Sequence, residues 1–381
     1  MSRLPVSLTS FSLRQPLRAL GVVAAACAVA VAVSACGGGS QASKFRPTRV
    51  VSFGDDSSFL TSAGKKYTVN AVATDESGRP VDSSGNPTAS ETNFVYICGN
   101  NPLWVQSVAA AYGFDGEQCP VSGATRAAYF LANDPTTTVT DATGAFSGAN
   151  AATAQTNAGI AAVIARIGAP SSTALLNSGT LVLVMAGQPD VFAAYARWKA
   201  GDAPLSSLQN DMKNLGISLS NALAQHVKPS GARVALVRVP RLLLTPLVQA
   251  LPQEDKDVIA ALTVALNDGM TNQAEVDFDG RQLTLVRSDD LTQLMFNSTS
   301  RSSYGISNST DIGCAVPAGG ARALTAPLCN TSYVDGGVNT QGSVNSTVSS
   351  VYLWSDATHF APQAHSRLAS LVISNVNRNP F

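Results

Sequence analysis

Short apolar runs alternate along this chain with longer stretches whose apolar residues recur every three to four positions. Residues 49–53 (Arg49, Val50, Val51, Ser52, Phe53) form a β-branched run stopped by Gly54, which predicts a buried first strand. Residues 180–186 are continuously apolar up to Gly187, the pattern of a central parallel strand. Residues 233–239, stopped by Pro240, and 282–286 predict two more strands, and Tyr352, Leu353 and Trp354 a short last one. Helical periodicity predicts helices over 102–112, 160–167, 190–199, 204–226, 252–267, 290–296 and 360–374. In the first of these, Trp104, Val105, Val108 and Ala109 share one face, so Trp104 is expected in the core. Apolar strands alternating with amphipathic helices imply a parallel sheet covered on both faces, a three-layer α/β/α sandwich of flavodoxin-like type. Residues 66–92 are mostly polar with turn chemistry at Ser84, Gly85, Asn86 and Pro87, and read as an insertion. Residues 131–157 are rich in Thr, Ala, Asn and Gly without a period, and predict no element. No repeat is evident, and residues 48–381 are expected to form one domain.

The first residues have a different pattern. Arg3, Arg14 and Arg18 precede an apolar run over 19–33, and no acidic residue occurs before position 37. Fifteen apolar residues suit a signal sequence better than a membrane span. The run ends in Val33, Ser34, Ala35 and Cys36, which resembles a bacterial lipobox, in which the cysteine is lipidated and becomes the mature N-terminus. The resulting expectation is a signal segment at 1–36, a flexible tether at 37–47 and a lipid anchor on Cys36. Gly37 rather than Asp follows the cysteine, which points to the outer membrane.

Composition narrows the partners. The chain carries 25 basic and 25 acidic residues, and loss of the three signal arginines leaves the mature protein at about −3. Only 13% of residues are charged and there is no basic stripe, so no nucleic-acid partner is expected. Beyond Cys36 there are Cys98, Cys119, Cys314 and Cys329, an even number that reads as two disulfides in an exported protein. Three connectivities are possible; the short Gly- and Asn-containing segments between neighbours favour Cys98–Cys119 and Cys314–Cys329. No phosphate loop, dinucleotide fingerprint or zinc spacing occurs, so no cofactor or metal is expected.

The clearest chemical signal lies near the C-terminus, where a strand ends and Asp356 precedes His359 by three residues, with Pro362 opening a helix. An aspartate so spaced can accept the imidazole Nδ1 proton, orient the ring and stabilise its charged form. Four further segments stand in order before it: Arg49 to Ser58, residues 101–109, residues 181–192, and residues 231–246 with 304–314. Together these resemble the blocks of the GDSL/SGNH esterases, over roughly residues 49 to 375. The resemblance implies a serine nucleophile in the first block, with His359 as its base and Asp356 as the orienting acid. It also implies an oxyanion hole of the serine N–H, a second-block Gly N–H and a third-block Asn side chain.

Three positions depart from that pattern. The ungapped register of Phe53, Gly54, Asp55 and Asp56 brings Asp56 to the nucleophile position, with Ser57 one residue late. The third block reads Gly187, Gln188, Pro189 and Asp190, so a proline stands where the Asn belongs and Gln188 offers the neighbouring amide. Gly123 and Gly148 are the candidates for the second-block glycine. The expectation is therefore an envelope lipoprotein that hydrolyses carboxylic esters, whether of lipids, short acyl groups or acetylated glycans. Ser57, His359 and Asp356 would be catalytic, and Asp56, Gly187 and Gln188 would line the site. The alternative is a catalytically degenerate protein of the same fold that binds a ligand or serves as structure.

Overall fold

The computed structural model describes residues 44–116, 119, 126–141, 143–314, 329, 331 and 351–378. The signal segment, Cys36, most of the tether and Gly123 lie outside the described residues. The sheet begins with β1 (Arg49–Gly54), followed by β2 (Asp115–Gly116), β3 (Ala127–Phe130), β4 (Thr180–Met185), β5 (Arg233–Val237) and β6 (Leu283–Val286). Their order across the sheet is β2-β3-β1-β4-β5-β6, and every neighbouring pair is parallel. β1 pairs along its full length with β4, Arg49 opposite Thr180 and Gly54 opposite Met185.

The central strands are apolar on both sides because both faces are covered. Val51, Phe53, Val182, Val184, Val234 and Leu236 point into one core. That core is roofed by α2 (Gly148–Ala158), α3 (Ile160–Gly168), α4 (Gln188–Lys199), α5 (Leu205–His226) and α6 (Gln253–Asp277). The alternate residues Val50, Leu181, Leu183, Met185, Ala235 and Val237 face a second core. It is closed by α1 (Trp104–Ala111), α7 (Ser288–Phe296) and α8 (Pro362–Arg378). These strand side chains are fully buried or nearly so, and each such Val, Leu or Phe contributes about 1.5–3 kcal/mol relative to exposure. The chain is thus a three-layer α/β/α sandwich around a parallel sheet, and the described residues from Phe45 onward form one compact unit. Trp104 is wholly buried in the second core.

Several elements differ from the expectations. Helix α2 occupies a stretch with no apolar period, because Ala151, Ala154 and Ala158 at i, i+3 and i+7 make a narrow buried stripe and Ser147 caps the first turn. Helix α6 runs to Asp277, past the predicted end at 267. It continues through Gly269 because a Cβ there would lie 2.0 Å from the Lys213 carbonyl oxygen, so the glycine serves close packing against α5. β7 (Asn308–Ile312) pairs in parallel with β8 (Tyr352–Trp354) in a small separate sheet. Both disulfides join the local pairs, Cys98–Cys119 and Cys314–Cys329.

Candidate active site

β1 lies where the chain direction across the sheet reverses, with β3 on one side and β4 on the other. In open α/β sheets the crevice beyond the strand ends at such a point is the usual ligand site. Gly54 ends β1 there because the backbone passes so close to β4 that a Cβ would sit 2.3 Å from the Met185 carbonyl oxygen. Asp55 follows and caps a single 3-10 turn, Asp56–Ser58. Its Oδ2 accepts the Gly187 N–H at 3.0 Å and the Gln188 N–H at 3.3 Å, while Oδ1 accepts the Ser57 N–H at 3.3 Å. Asp55 thereby caps the start of α4, where Pro189 has no N–H to offer.

The C-terminal block supplies the other half. Beyond β8, Asp356 Oδ1 accepts the backbone N–H groups of Thr358 at 2.9 Å and His359 at 2.8 Å, which folds the loop back on itself. Both Asp356 oxygens lie 2.9 Å from His359 Nδ1. The other ring nitrogen, Nε2, lies 2.9 Å from Asp56 Oδ2. The imidazole is held between two carboxylates drawn from opposite ends of the domain, and all three residues are buried (5% exposure or less). Ser57 Oγ donates to Asp56 Oδ1 at 3.4 Å, and the Ser57 N–H reaches the same oxygen at 2.8 Å. Asp56, not Ser57, therefore occupies the position on Nε2.

The charges follow from this geometry. Burial alone would lower the His359 pKa, but the adjoining Asp356 and Asp56 carboxylates hold it well above its ordinary value. Burial would raise Asp356, yet the imidazolium and the two backbone N–H groups keep it below the usual carboxylate range. Asp55 goes the other way: burial, then the neighbouring Asp56 charge, push its carboxyl well above that range. An imidazolium whose Nε2 proton is already engaged cannot accept a proton from a hydroxyl, which is what a serine nucleophile requires of its base.

The insertion reaches this site. The Tyr67 ring lies 5.2 Å from that of His359, its hydroxyl donates to Asp134 Oδ1 at 2.8 Å, and Thr68 Oγ1 donates to the Phe360 carbonyl at 2.9 Å. Lys66 anchors the start of the segment by donating to the carbonyls of Cys98, Asn100 and Asn101 at 3.0, 2.6 and 3.0 Å. No pattern in the sequence marks Tyr67 or Asp134, which meet across 67 residues. Of the proposed oxyanion donors, Gly187 and Gln188 direct their backbone N–H groups at Asp55. Gly148 opens α2 and packs towards Ala196 of α4. Among the described residues, no group of three or more His, Cys, Asp or Glu side chains is disposed to hold a metal ion. No protein-family model and no curated protein matches this chain.

Proposed function

We propose that this chain is an envelope lipoprotein of SGNH-like type that has lost serine-dependent ester hydrolysis and acts in the envelope as a ligand-binding or structural protein. One observation carries the reading: Asp56 Oδ2 on His359 Nε2 at 2.9 Å, where a nucleophilic serine would have to be. Two others support it. Pro189 replaces the amide side chain of the oxyanion hole, and the α4 amides are engaged by Asp55. Losing one oxyanion donor costs about 10²–10³ in rate, and displacement of the nucleophile costs more. The Asp356–His359 pair favours the second reading, ester hydrolysis by Ser57, because base and orienting acid are kept at 2.9 Å. That reading requires Asp56 to leave Nε2.

The deciding assay is hydrolysis of p-nitrophenyl acetate and butyrate by the full chain in detergent, beside Ser57→Ala, His359→Ala and Asp56→Ser. Equal rates for the parent, Ser57→Ala and His359→Ala are expected. Asp56→Ser, which restores a hydroxyl in register, is expected to gain activity that a further His359→Ala change removes. A parent rate that collapses in both Ser57→Ala and His359→Ala would overturn the proposal in favour of the esterase. The anchor is tested by metabolic fatty-acid labelling: Cys36→Ala should abolish the label and release the protein from the membrane fraction, and a retained label would exclude lipidation at Cys36.

A further inference from the structure

We propose that the Asp56–His359–Asp356 site is competent for alkyl rather than acyl transfer, with Asp56 attacking a saturated carbon that bears an anionic leaving group. The inference uses the geometry described above but concerns a different reaction from the ester hydrolysis judged lost. A carboxylate attacking an acyl carbon yields a labile anhydride. The same carboxylate attacking an alkyl carbon yields an ordinary ester, which the surrounding groups are arranged to cleave.

The two oxygens of Asp56 are differently served. Oδ1 receives the Ser57 N–H at 2.8 Å and the Ser57 hydroxyl at 3.4 Å, and Oδ2 faces His359 Nε2 at 2.9 Å. In the first step Oδ2 forms a bond to the alkyl carbon as the carbon–halogen bond breaks and halide departs with the bonding pair. Asp56 becomes a neutral ester, so His359 loses one of its two counterions and releases the Nε2 proton to solvent. In the second step the neutral imidazole takes a proton from water as that water adds to Asp56 Cγ. Negative charge then develops on Oδ1, against the two Ser57 donors, in the manner of an oxyanion hole. Collapse expels the alcohol oxygen, which takes the proton back from His359; the acid proton left on Asp56 then passes to Nε2 and restores the imidazolium that Asp356 balances. The net change is alkyl halide plus water to alcohol, halide and a proton. Next to the imidazole the surroundings are aromatic: Tyr67 lies 5.2 Å from His359 and the partly exposed Phe59 lies 6.2 Å from Tyr67. That edge suits a short apolar alkyl chain.

The test uses the full chain in detergent with 1-bromobutane, following bromide release, and a single turnover in H₂¹⁸O with mass analysis of the peptide containing Asp56. Expected are bromide release about 10²-fold or more above that of Asp56→Asn, ¹⁸O in the Asp56 carboxylate, and a butyl adduct retained on Asp56 in His359→Gln. Absence of bromide release from the parent protein overturns the proposal, and so does release without ¹⁸O in Asp56, which would mean direct attack by water. The labelling needs no variant, so a misfolded His359→Gln does not obscure the result. Esterase assays on the same preparation separate this outcome from that of the preceding reading, which fails only if ester hydrolysis depends on Ser57 and His359.

Discussion

Replacing Asp56 by Asn removes one charge from the buried site while keeping its volume and an acceptor for His359 Nε2. The 2.9 Å contact joins two residues that are each 5% exposed or less, so screening by solvent is weak. A hydrogen bond to a charged group contributes about 1.5–3 kcal/mol net and a neutral one about 0.5–1.5, so the amide should cost about 1–2 kcal/mol. Relief of Asp55, whose carboxyl is held high partly by the Asp56 charge, offsets some of that loss. Asp56→Ala, which leaves the imidazolium with a single counterion and a void, should cost about 3–5 kcal/mol, a rise of roughly 10²–10⁴ in the unfolding constant. The sign with pH follows from His359. Its folded pKa is raised, so its contribution is complete below the ordinary value of 6.5 and is lost as pH climbs through the folded value. In Asp56→Asn that loss begins at lower pH, and the difference between the proteins should be largest between about pH 5 and 6.5. Urea unfolding over this range measures it. The chain has only three histidines, so NMR of the imidazole Cε1–H groups follows His359 directly. Titration of His359 near 6.5 in the parent protein, or an Asp56→Asn variant at least as stable as the parent at pH 6, would refute the charge-paired site.

Three further outcomes follow. Asp190, 2% exposed, accepts the Ile160 N–H at 2.8 Å, and burial pushes its carboxyl up to about 6. Stability should therefore fall by about 3 kcal/mol as pH rises from 3.8 to 6, and Asp190→Asn should abolish that slope in urea titrations. Burial lowers Lys66 to about 7, so its folded form gives up a proton first and stability should rise between about pH 7 and 10.5; Lys66→Met should lose this rise. The same variant strands three carbonyl acceptors and should cost at least about 2 kcal/mol near neutral pH by urea unfolding. Replacing Cys98 and Cys119 by Ala opens a loop of 21 residues' separation and should lower stability by about 3 kcal/mol in calorimetry or urea.

Burial pattern along the chain was enough for the layered architecture. β1, β4, β5 and β6 were legible because strands packed on both faces need uninterrupted apolar runs, and α1 because Trp104, Val105 and Val108 share a face. β3 and α2 were not, since Ala127 to Phe130 and the Ala- and Asn-rich 148–158 have weak local preferences. Neighbours decide these: Ala128 pairs with Val50, and small alanines let α2 lie close on α4. The Asp356–His359 pair could be read because three residues of loop hold both partners. Which first-block side chain meets Nε2 could not. Adjacent residues stand about 3.5 Å apart, and a single 3-10 turn chooses between Asp56 and Ser57. That contact spans 303 residues, so only the folded sheet, bringing the end of β1 to the loop after β8, turns an Asp-x-x-His motif into an imidazolium between two carboxylates.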